Sequence, residues 1–347
     1  MSNQNGGRRI FTYVDVFGHK GCNDGHMAVA LCVFQLPNLY GKDAIITVTF
    51  LNADLSDWKL GDSLGKLPED TKHVKVERRA IFIDISPTKE HYDVLNSRYD
   101  HISVFDHHLS SAEFLRSLSK LEKWNVVHSL DHCATWLVFD SLFHPDDRDM
   151  KFAAGTVSIA KARIVVTLTD QYDVWSNPTP FTFLFSIACS IKWKEVTQPR
   201  MRTTVPQLMD FLYAVCLMDE MEVVSLSKPM WRASVFEYRT TFRFILELPT
   251  VSGKPIPVIT WFGDRITNPS IGCYVLMKET TGYLVSMCLF RNERNGKVVF
   301  RASLRSQQLN LIENLDWVKG HANSCSGILP DPIVEKMLAM KASPWGF

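Results

Sequence analysis

Val104-Phe105-Asp106-His107-His108-Leu109 is the stretch on which the reading of this chain turns. A β-like apolar run, His101–Phe105, ends directly in one acid and two imidazoles. A parallel strand empties its terminal side chains into a crevice at that place. Three potential metal or phosphate ligands in a row are costly to bury and seldom serve packing. Alone, the triplet also fits a satisfied polar strand end; four further segments bearing acid or histidine give it weight.

Working outward, β-like runs at Ile10–Phe17, Ile45–Leu51 and Ala80–Ile85 alternate with helical patterns that include Gly25–Phe34 and Ser111–Leu121. That alternation predicts an α/β fold with a mostly parallel sheet flanked by helices and functional loops at the strand carboxyl ends. Asp131–Leu142 and Ala153–Leu168 read as helices, the second running into Thr169-Asp170. A polar break opens near Thr197 with Gln198-Pro199-Arg200, and Pro206–Leu226 reads as a helical connector. After Pro249, the β-like runs Ile256–Trp261, Gly282–Leu289 and Lys297–Leu304 predict a smaller C-terminal α/β domain.

Composition narrows the classes of function. A chain of 347 residues, 46% apolar and 22% charged, has the core of a soluble globular protein of two domains. A formal charge of +1 argues against a coat for long nucleic acid, yet admits a small basic pocket for a short nucleotide. Eight cysteines, at 22, 32, 133, 189, 216, 273, 288 and 325, form no Cys-x-x-Cys pair. Several sit in apolar runs, which points to buried free thiols in an intracellular, reducing compartment, cytoplasmic or organellar. No apolar stretch has transmembrane length, and the polar, glycine-rich start lacks the apolar core of a secretory signal.

The first cluster is Gly18-His19-Lys20-Gly21-Cys22-Asn23-Asp24-Gly25-His26. Small residues there let a helix N-terminus approach an anion closely, and His19 and Asp24 are suitable ligands for divalent cations. The same residues also fit a polar turn that caps the helix through Asn23 or Asp24. Asp84, in Ala80-Ile81-Phe82-Ile83-Asp84-Ile85-Ser86, needs strong compensation in so apolar a run; a bridging position between two metals would supply it, as would a cap on the turn before Pro87. Asp170 follows an apolar helix and is a further candidate ligand; Asp173 reads as a capping or surface group. The nine tryptophans and 21 phenylalanines read as core, with Trp261 and Trp317 the ones placed to stack on a base. Arg78-Arg79, Arg200 and Arg202 read as surface charges, and His26 as a helix residue. His132-Cys133 reads as a helix opening without a metal-binding partner.

Taken in order, these residues resemble the motifs of the DHH phosphoesterases, across nearly the whole chain. The branch most like it opens with His-x-x-Cys-x-Asp-Gly, as His19-Lys-Gly-Cys22-Asn-Asp24-Gly25 does. Asp84 fits the second motif, Asp106-His107-His108 the third and Asp170 the fourth. Ser303-Leu304-Arg305-Ser306 and Lys319-Gly320-His321-Ala322-Asn323-Ser324-Cys325-Ser326-Gly327 look like the two motifs of the associated, DHHA1-like substrate-binding domain. The chain then divides into a flexible tail over 1–9 and a helical connector over 197–248, both read from composition and pattern, and, as the resemblance implies, a catalytic domain over 10–196 and a substrate-binding domain over 249–347 with the active site in the cleft between them.

The resemblance also implies roles. His19 and Asp84 would hold one metal; Asp24, Asp84, His107 and Asp170 would hold a second. Asp106 would orient a ligand histidine, His108 would touch the scissile phosphate, and Arg305, Ser303, His321 and the backbone at Gly320 would hold the substrate. The expected cofactors are two divalent cations, manganese first, with magnesium or a softer ion as alternatives. The expected reaction is hydrolysis of short oligoribonucleotides, or of cyclic or linear dinucleotides, by a two-metal-activated water. No membrane and no long duplex DNA is expected as a partner; a homodimer is compatible with this reading. The alternative is a catalytically weakened scaffold or assembly factor that binds RNA or protein. Three departures bear on the choice. Cys22 replaces an acid found in many relatives and favours a softer ion; the C-terminal turn has lost glycines; and the stretch from Thr197 to Leu248 matches nothing in the family.

Overall fold

A computed structural model describes residues 9–52, 55, 74–197, 203–240, 243–263, 268–280, 282–294, 297–321 and 323–341. The expected N-terminal tail up to residue 8, the break at Gln198-Pro199-Arg200 with Arg202, and Ala322 lie outside the described residues. The fold is mixed α/β: a five-stranded parallel sheet flanked by helices, followed by a smaller C-terminal domain built on a second sheet. Two units result, Met1–Asp170 with Cys189–Asp219 and Gln171–Ala188 with Glu220–Phe347.

The first unit alternates strand and helix in the order expected: β1 (Arg9–His19), α1 (Asn23–Tyr40), β2 (Ile45–Leu51), β3 (Val74–Ile83), α2 (Tyr92–Arg98), β4 (His101–Asp106), α3 (Ala112–Leu118), β5 (Trp124–His128) and α4 (Ala134–Leu142). The strands lie in the order β2-β1-β3-β4-β5, all parallel, so β1 lies between β2 and β3 and the strand order reverses beside it. Open parallel sheets bind ligands at such a reversal. β3 is central, and its last four residues, Ala80-Ile81-Phe82-Ile83, are apolar on both faces because helices cover both. α1 is buried continuously from Asp24 to Val33, which explains its lack of a polar stripe.

The core on one side of this sheet joins Phe17, Phe82, Leu95, Tyr99, Ile102, Val104, Leu115 and Trp124, with Phe17 and Phe82 stacked at 4.9 Å. Asp15, buried within β1, accepts hydrogen bonds from the hydroxyls of Tyr13, Thr47 and Tyr99, so it is committed to the sheet interior.

One expected helix starts late. The helical pattern from Ala153 gives way to a hairpin of β6 (Asp149–Phe152) and β7 (Gly155–Ser158), and the helix α5 covers Ile159–Asp173. Gly155 turns the chain at φ 154°, with the Tyr213 hydroxyl 2.5 Å from where a Cβ would stand, so turn chemistry outweighs the apolar period. The chain leaves the first unit within α5 and re-enters it within α6 (Pro180–Thr197). The expected connector holds α7 (Val205–Leu217), which belongs to the first unit. It also holds α8 (Glu220–Thr240) and β8 (Arg243–Leu248), which belong to the second.

The second unit continues with β9 (Ile256–Gly263), α9 (Pro269–Glu279), β10 (Val285–Arg294), β11 (Lys297–Ser306), α10 (Leu311–Asn314), β12 (Val318–Gly320), β13 (Ser324–Ile328) and α11 (Asp331–Lys341). Its strand order is β12-β13-β11-β10-β9-β8, antiparallel except for the β9–β10 pair. Trp261 is 1% exposed against Tyr238, so it is not a base-stacking platform; Trp317 is half-buried against the second core. Arg79 lies over the Tyr40 ring and pairs with Glu77 rather than standing in solvent. None of the eight cysteines is in a disulfide, and seven of them are buried. Among the described residues no helix is long and apolar enough to cross a membrane.

Phe82 fills the centre of the first core. Phe82→Ala should lower stability by about 3–5 kcal/mol, read as a drop in the urea midpoint with an unchanged slope.

Candidate functional site

Strand register brings the candidate ligands level. Gly18 pairs with Ile83 and Ile83 with Phe105, so β1, β3 and β4 end side by side. Because β3 runs between the other two, a residue just past its end has a neighbour strand about 5 Å away on either side. Asp84 is that residue. Its N–H donates to the Phe105 carbonyl at 2.9 Å, and its backbone takes the left-handed conformation, φ 57°. That region is unfavourable for side-chain-bearing residues, though aspartate enters it more readily than most.

The Asp84 carboxylate lies across the strand ends with one oxygen toward each neighbour. Oδ2 stands 3.0 Å from His19 Nδ1 and 2.9 Å from Cys22 Sγ. Oδ1 stands 3.0 Å from His107 Nε2, which is itself 3.5 Å from Asp24 Oδ2. Two donor groups result, His19–Cys22–Asp84 and Asp24–Asp84–His107, and within each the ligand atoms lie within 4.8 Å of one another. Asp84, Asp106 and His108 make a third. Gly25 is required for this approach: a Cβ there would meet the His19 carbonyl at 2.6 Å and Asp84 Oδ2 at 3.1 Å.

Neither Asn23 nor Asp24 caps α1. The cap is Cys22, whose sulfur accepts from Gly25 N at 3.1 Å. Asn23 reaches Ser190 instead, and Asp24 turns to α4, accepting from the N–H groups of Ala134 at 2.9 Å and Thr135 at 2.7 Å. Asp170 meets the same helix end: its oxygens lie 2.7 Å from Cys133 N and 3.1 Å from His132 Nδ1. Two carboxylates separated by most of the domain's sequence thus converge on one helix N-terminus, whose unpaired N–H groups and dipole favour negative charge. Asp170 is not a member of any of the donor groups around Asp84.

Asp106 holds His108 in place. Its Oδ1 lies 2.7 Å from His108 Nδ1 and 2.8 Å from His107 N, while its other oxygen accepts from the hydroxyls of Ser86 and Ser111. Burial disfavours the His108 imidazolium, but the hydrogen bond and charge of Asp106 outweigh it and raise the pKa to about 9. Burial likewise disfavours charge on Asp84, yet hydrogen bonds from His107 and His19 hold its carboxyl well below the usual carboxylate range. His26 is no ligand: it stacks on Trp193 at 3.7 Å, and burial lowers its pKa to about 3.

The donor set suits divalent cations. Asp24 and Asp84 are buried acids 2% and 3% exposed, and His107 is 1% exposed; burying such charge without compensation is costly, and a cation supplies it. Oxygen and imidazole donors fit Mn²⁺, Mg²⁺ or Zn²⁺.

In the second unit, Ser303 and Arg305 on β11 face β13, where Ser303 pairs with Ser326 and Arg305 with Ser324. The Arg305 guanidinium donates from Nη1 to Ser303 Oγ at 3.0 Å and to the Leu304 carbonyl at 2.8 Å, and from Nη2 to Ser270 Oγ at 2.8 Å. It rests 5.2 Å above the Trp175 ring. His321 begins the turn closed by its N–H to the Ser324 carbonyl at 2.8 Å, and its Nε2 lies 3.4 Å from Asp173 Oδ2. Gly320 takes φ 134°, and a Cβ there would stand 2.7 Å from the Ser324 carbonyl. Asp173, Ser270, Ser303, Arg305, Gly320 and His321, with Lys319, line a cavity of about 230 Å³.

Sequence reasoning passed over four participants: His132, partner of Asp170; Ser86 and Ser111, which hold Asp106; and Asp173, which pairs with His321 rather than capping a helix. Only Asp173 and His132 carried a signal, their closeness to the fourth motif and to a helix start.

No family model matches the chain, and no curated protein does. Among solved structures, an exopolyphosphatase-related protein from Bacteroides fragilis is similar at 12% identity and TM-score 0.44, over 94% of this chain and 91% of its own. An uncharacterized protein from Helicobacter pylori G27 is similar at 10% identity and TM-score 0.35, over 95% of this chain and 99% of its own. At these scores neither likeness bears on the chemistry, which rests on the side chains described above.

Gly25→Ala should cost about 1–3 kcal/mol by pressing on the His19 carbonyl and Asp84 and should weaken divalent-cation binding. Urea unfolding and calorimetric titration check both; unchanged binding would mean the backbone yields without disturbing Asp84.

Proposed function

We propose that the protein is a metal-dependent phosphodiesterase or exonuclease that hydrolyses short oligoribonucleotides or cyclic or linear dinucleotides. The observation that carries this reading is Asp84, whose two oxygens are divided between two separate donor groups, as a carboxylate shared by two cations requires. The likeness of the motifs at His19–Gly25, Asp84, Asp106–His108 and Asp170 to the DHH phosphoesterases supports it. His19 and Asp84 would hold one cation, and Asp24, Asp84 and His107 another. Divalent cations in those places supply Lewis acidity, which makes water a better nucleophile and offsets charge on phosphate oxygens.

The chain's own residues do the rest. Asp106 holds the His108 ring through Nδ1 and favours its imidazolium, so His108 would offer its other N–H to a bound phosphate. Asp170, with His132, holds the start of α4, and α4 in turn holds Asp24; in this arrangement Asp170 positions a ligand. Arg305 and Lys319, lining a small pocket with His321 and Asp173, give the second unit cations suited to a terminal phosphate. Ser303, Ser270 and Trp175 hold the guanidinium in one orientation. Asp173 Oδ2, 3.4 Å from His321 Nε2, orients that imidazole. A pocket of this size suits a short substrate.

Hydrolysis of a 5′-labelled RNA dinucleotide and of linear diadenylate with added Mn²⁺ tests the proposal. Asp84→Asn should lower kcat by roughly 10²–10³-fold or more, in line with loss of a group that stabilises transition-state charge. Arg305→Ala should mainly raise KM, by roughly 10- to 100-fold, as expected for a lost charge-assisted hydrogen bond. Turnover by the Asp84 variant at the wild-type rate would refute the metal-dependent reaction. Absence of turnover in the wild type, with RNA or protein binding unaffected by the Asp84 change, would establish the scaffold alternative.

A further inference from the structure

We infer that Cys22 is itself a metal ligand, and that the two donor groups sharing Asp84 select different ions. The group His19–Cys22–Asp84 takes a thiophilic divalent cation such as zinc, cobalt(II) or iron(II). The group Asp24–Asp84–His107 takes a harder one such as manganese or magnesium. This inference rests on the metal-centre reading above and specifies the chemistry of one half of it.

The argument starts from where the sulfur sits. β1 ends at His19, and Lys20 stays tied to the sheet through its N–H to the Leu51 carbonyl at 2.7 Å. Gly21 then turns the chain at φ 91°, which brings Cys22 back beside His19. The sulfur lies 3.2 Å from His19 Nδ1 and 2.9 Å from Asp84 Oδ2, in contact with both other members of its group. Cys22 is unlike the other cysteines of the chain: the remaining seven are buried, and Cys22 is half-exposed. Packing therefore does not explain a thiol at this place.

Capping does not explain it either. The N-cap of α1 needs an acceptor for Gly25 N, and serine, threonine, aspartate or asparagine serve that purpose best. A helix N-terminus also favours an anionic group, so aspartate at 22 would satisfy both the cap and a hard cation. Sulfur in place of that oxygen changes one property above all, the softness of the donor. Thiolate ligands select zinc and other thiophilic ions, whereas carboxylate and carbonyl oxygens suit magnesium and manganese. The second group contains no sulfur: its donors are two carboxylates and one imidazole. Asp84, common to both, cannot account for a difference between them, so the difference falls on Cys22.

Cobalt(II) titration of the metal-free full-length protein tests this without reference to turnover. The wild type should develop an intense near-ultraviolet thiolate-to-cobalt charge-transfer band that saturates at one equivalent, together with weak visible bands from both ions. Cys22→Ser should lose the near-ultraviolet band and keep visible absorption, and its zinc affinity should fall by at least roughly 10- to 100-fold, the range seen when even outer partners of a metal are removed. Should Cys22→Ser not fold by circular dichroism, Cys22→Asp serves: it keeps an N-cap acceptor, should lack the band and should bind manganese more tightly than the wild type. Cobalt binding by the wild type with no charge-transfer band, or a band that survives in the folded variant, would overturn the role of Cys22 and leave the metal centre standing. No cobalt binding at all would remove the metal centre itself.

Discussion

The rest of the first unit is arranged around a single carboxylate that is 3% exposed and charged. Asp84 is tolerable in that place only because imidazoles approach both of its oxygens and because its left-handed backbone turns it along the strand ends. An ion buried without such partners would give up its charge or destabilise the fold by several kcal/mol. The sheet order follows the same requirement. Placing β3 between β1 and β4 gives Asp84 a histidine-bearing strand end on each side. Had β1 and β4 been neighbours, His19 and His107 could not flank it.

The supports of Asp84 are themselves supported. Gly25 leaves room for the carboxylate, Cys22 starts the helix that carries Asp24, and α4 uses its first N–H groups to hold Asp24 and, through Cys133, Asp170. Asp106 plays the corresponding part for His108, with two serine hydroxyls saturating its second oxygen. Asp24, Asp84, Asp106 and Asp170 therefore each have a definite set of partners within the fold. The second unit organises a cation instead: Arg305 is held on both terminal nitrogens and backed by an aromatic ring, so its charge points one way.

How much of this was legible in the sequence depends on how far each signal reaches. His19, Asp84 and Asp106-His107-His108 could be read because each sits at the end of its own apolar run, and a strand end is a local feature. The parallel sheet was legible for the same reason. The reach of Asp24 to α4 was not, because the partners of its carboxylate there lie 110 and 111 residues downstream and are backbone N–H groups, which leave no mark in a sequence. Asp170 read as a ligand, and its attachment to His132 could not be foreseen from residues 38 positions apart. The hairpin at 149–158 was lost to an apolar pattern that a single glycine overrides.

The excursion of the chain through 171–188 has a consequence for how the protein is made. The first unit is complete in sequence once residue 219 has left the ribosome, yet the segment inserted in it carries Trp175 and Phe183, both of which end up buried in the second unit. Their partners include Trp231 and Tyr274 of α8 and α9 and Arg305 of β11, which are synthesised later. At translation rates of about 5–20 residues per second, this aromatic stretch stays uncovered for several seconds beside a neighbour that is free to fold. A C-terminal fragment beginning at 220 would lack it altogether, so the second unit is finished only by chain that the first has already passed along.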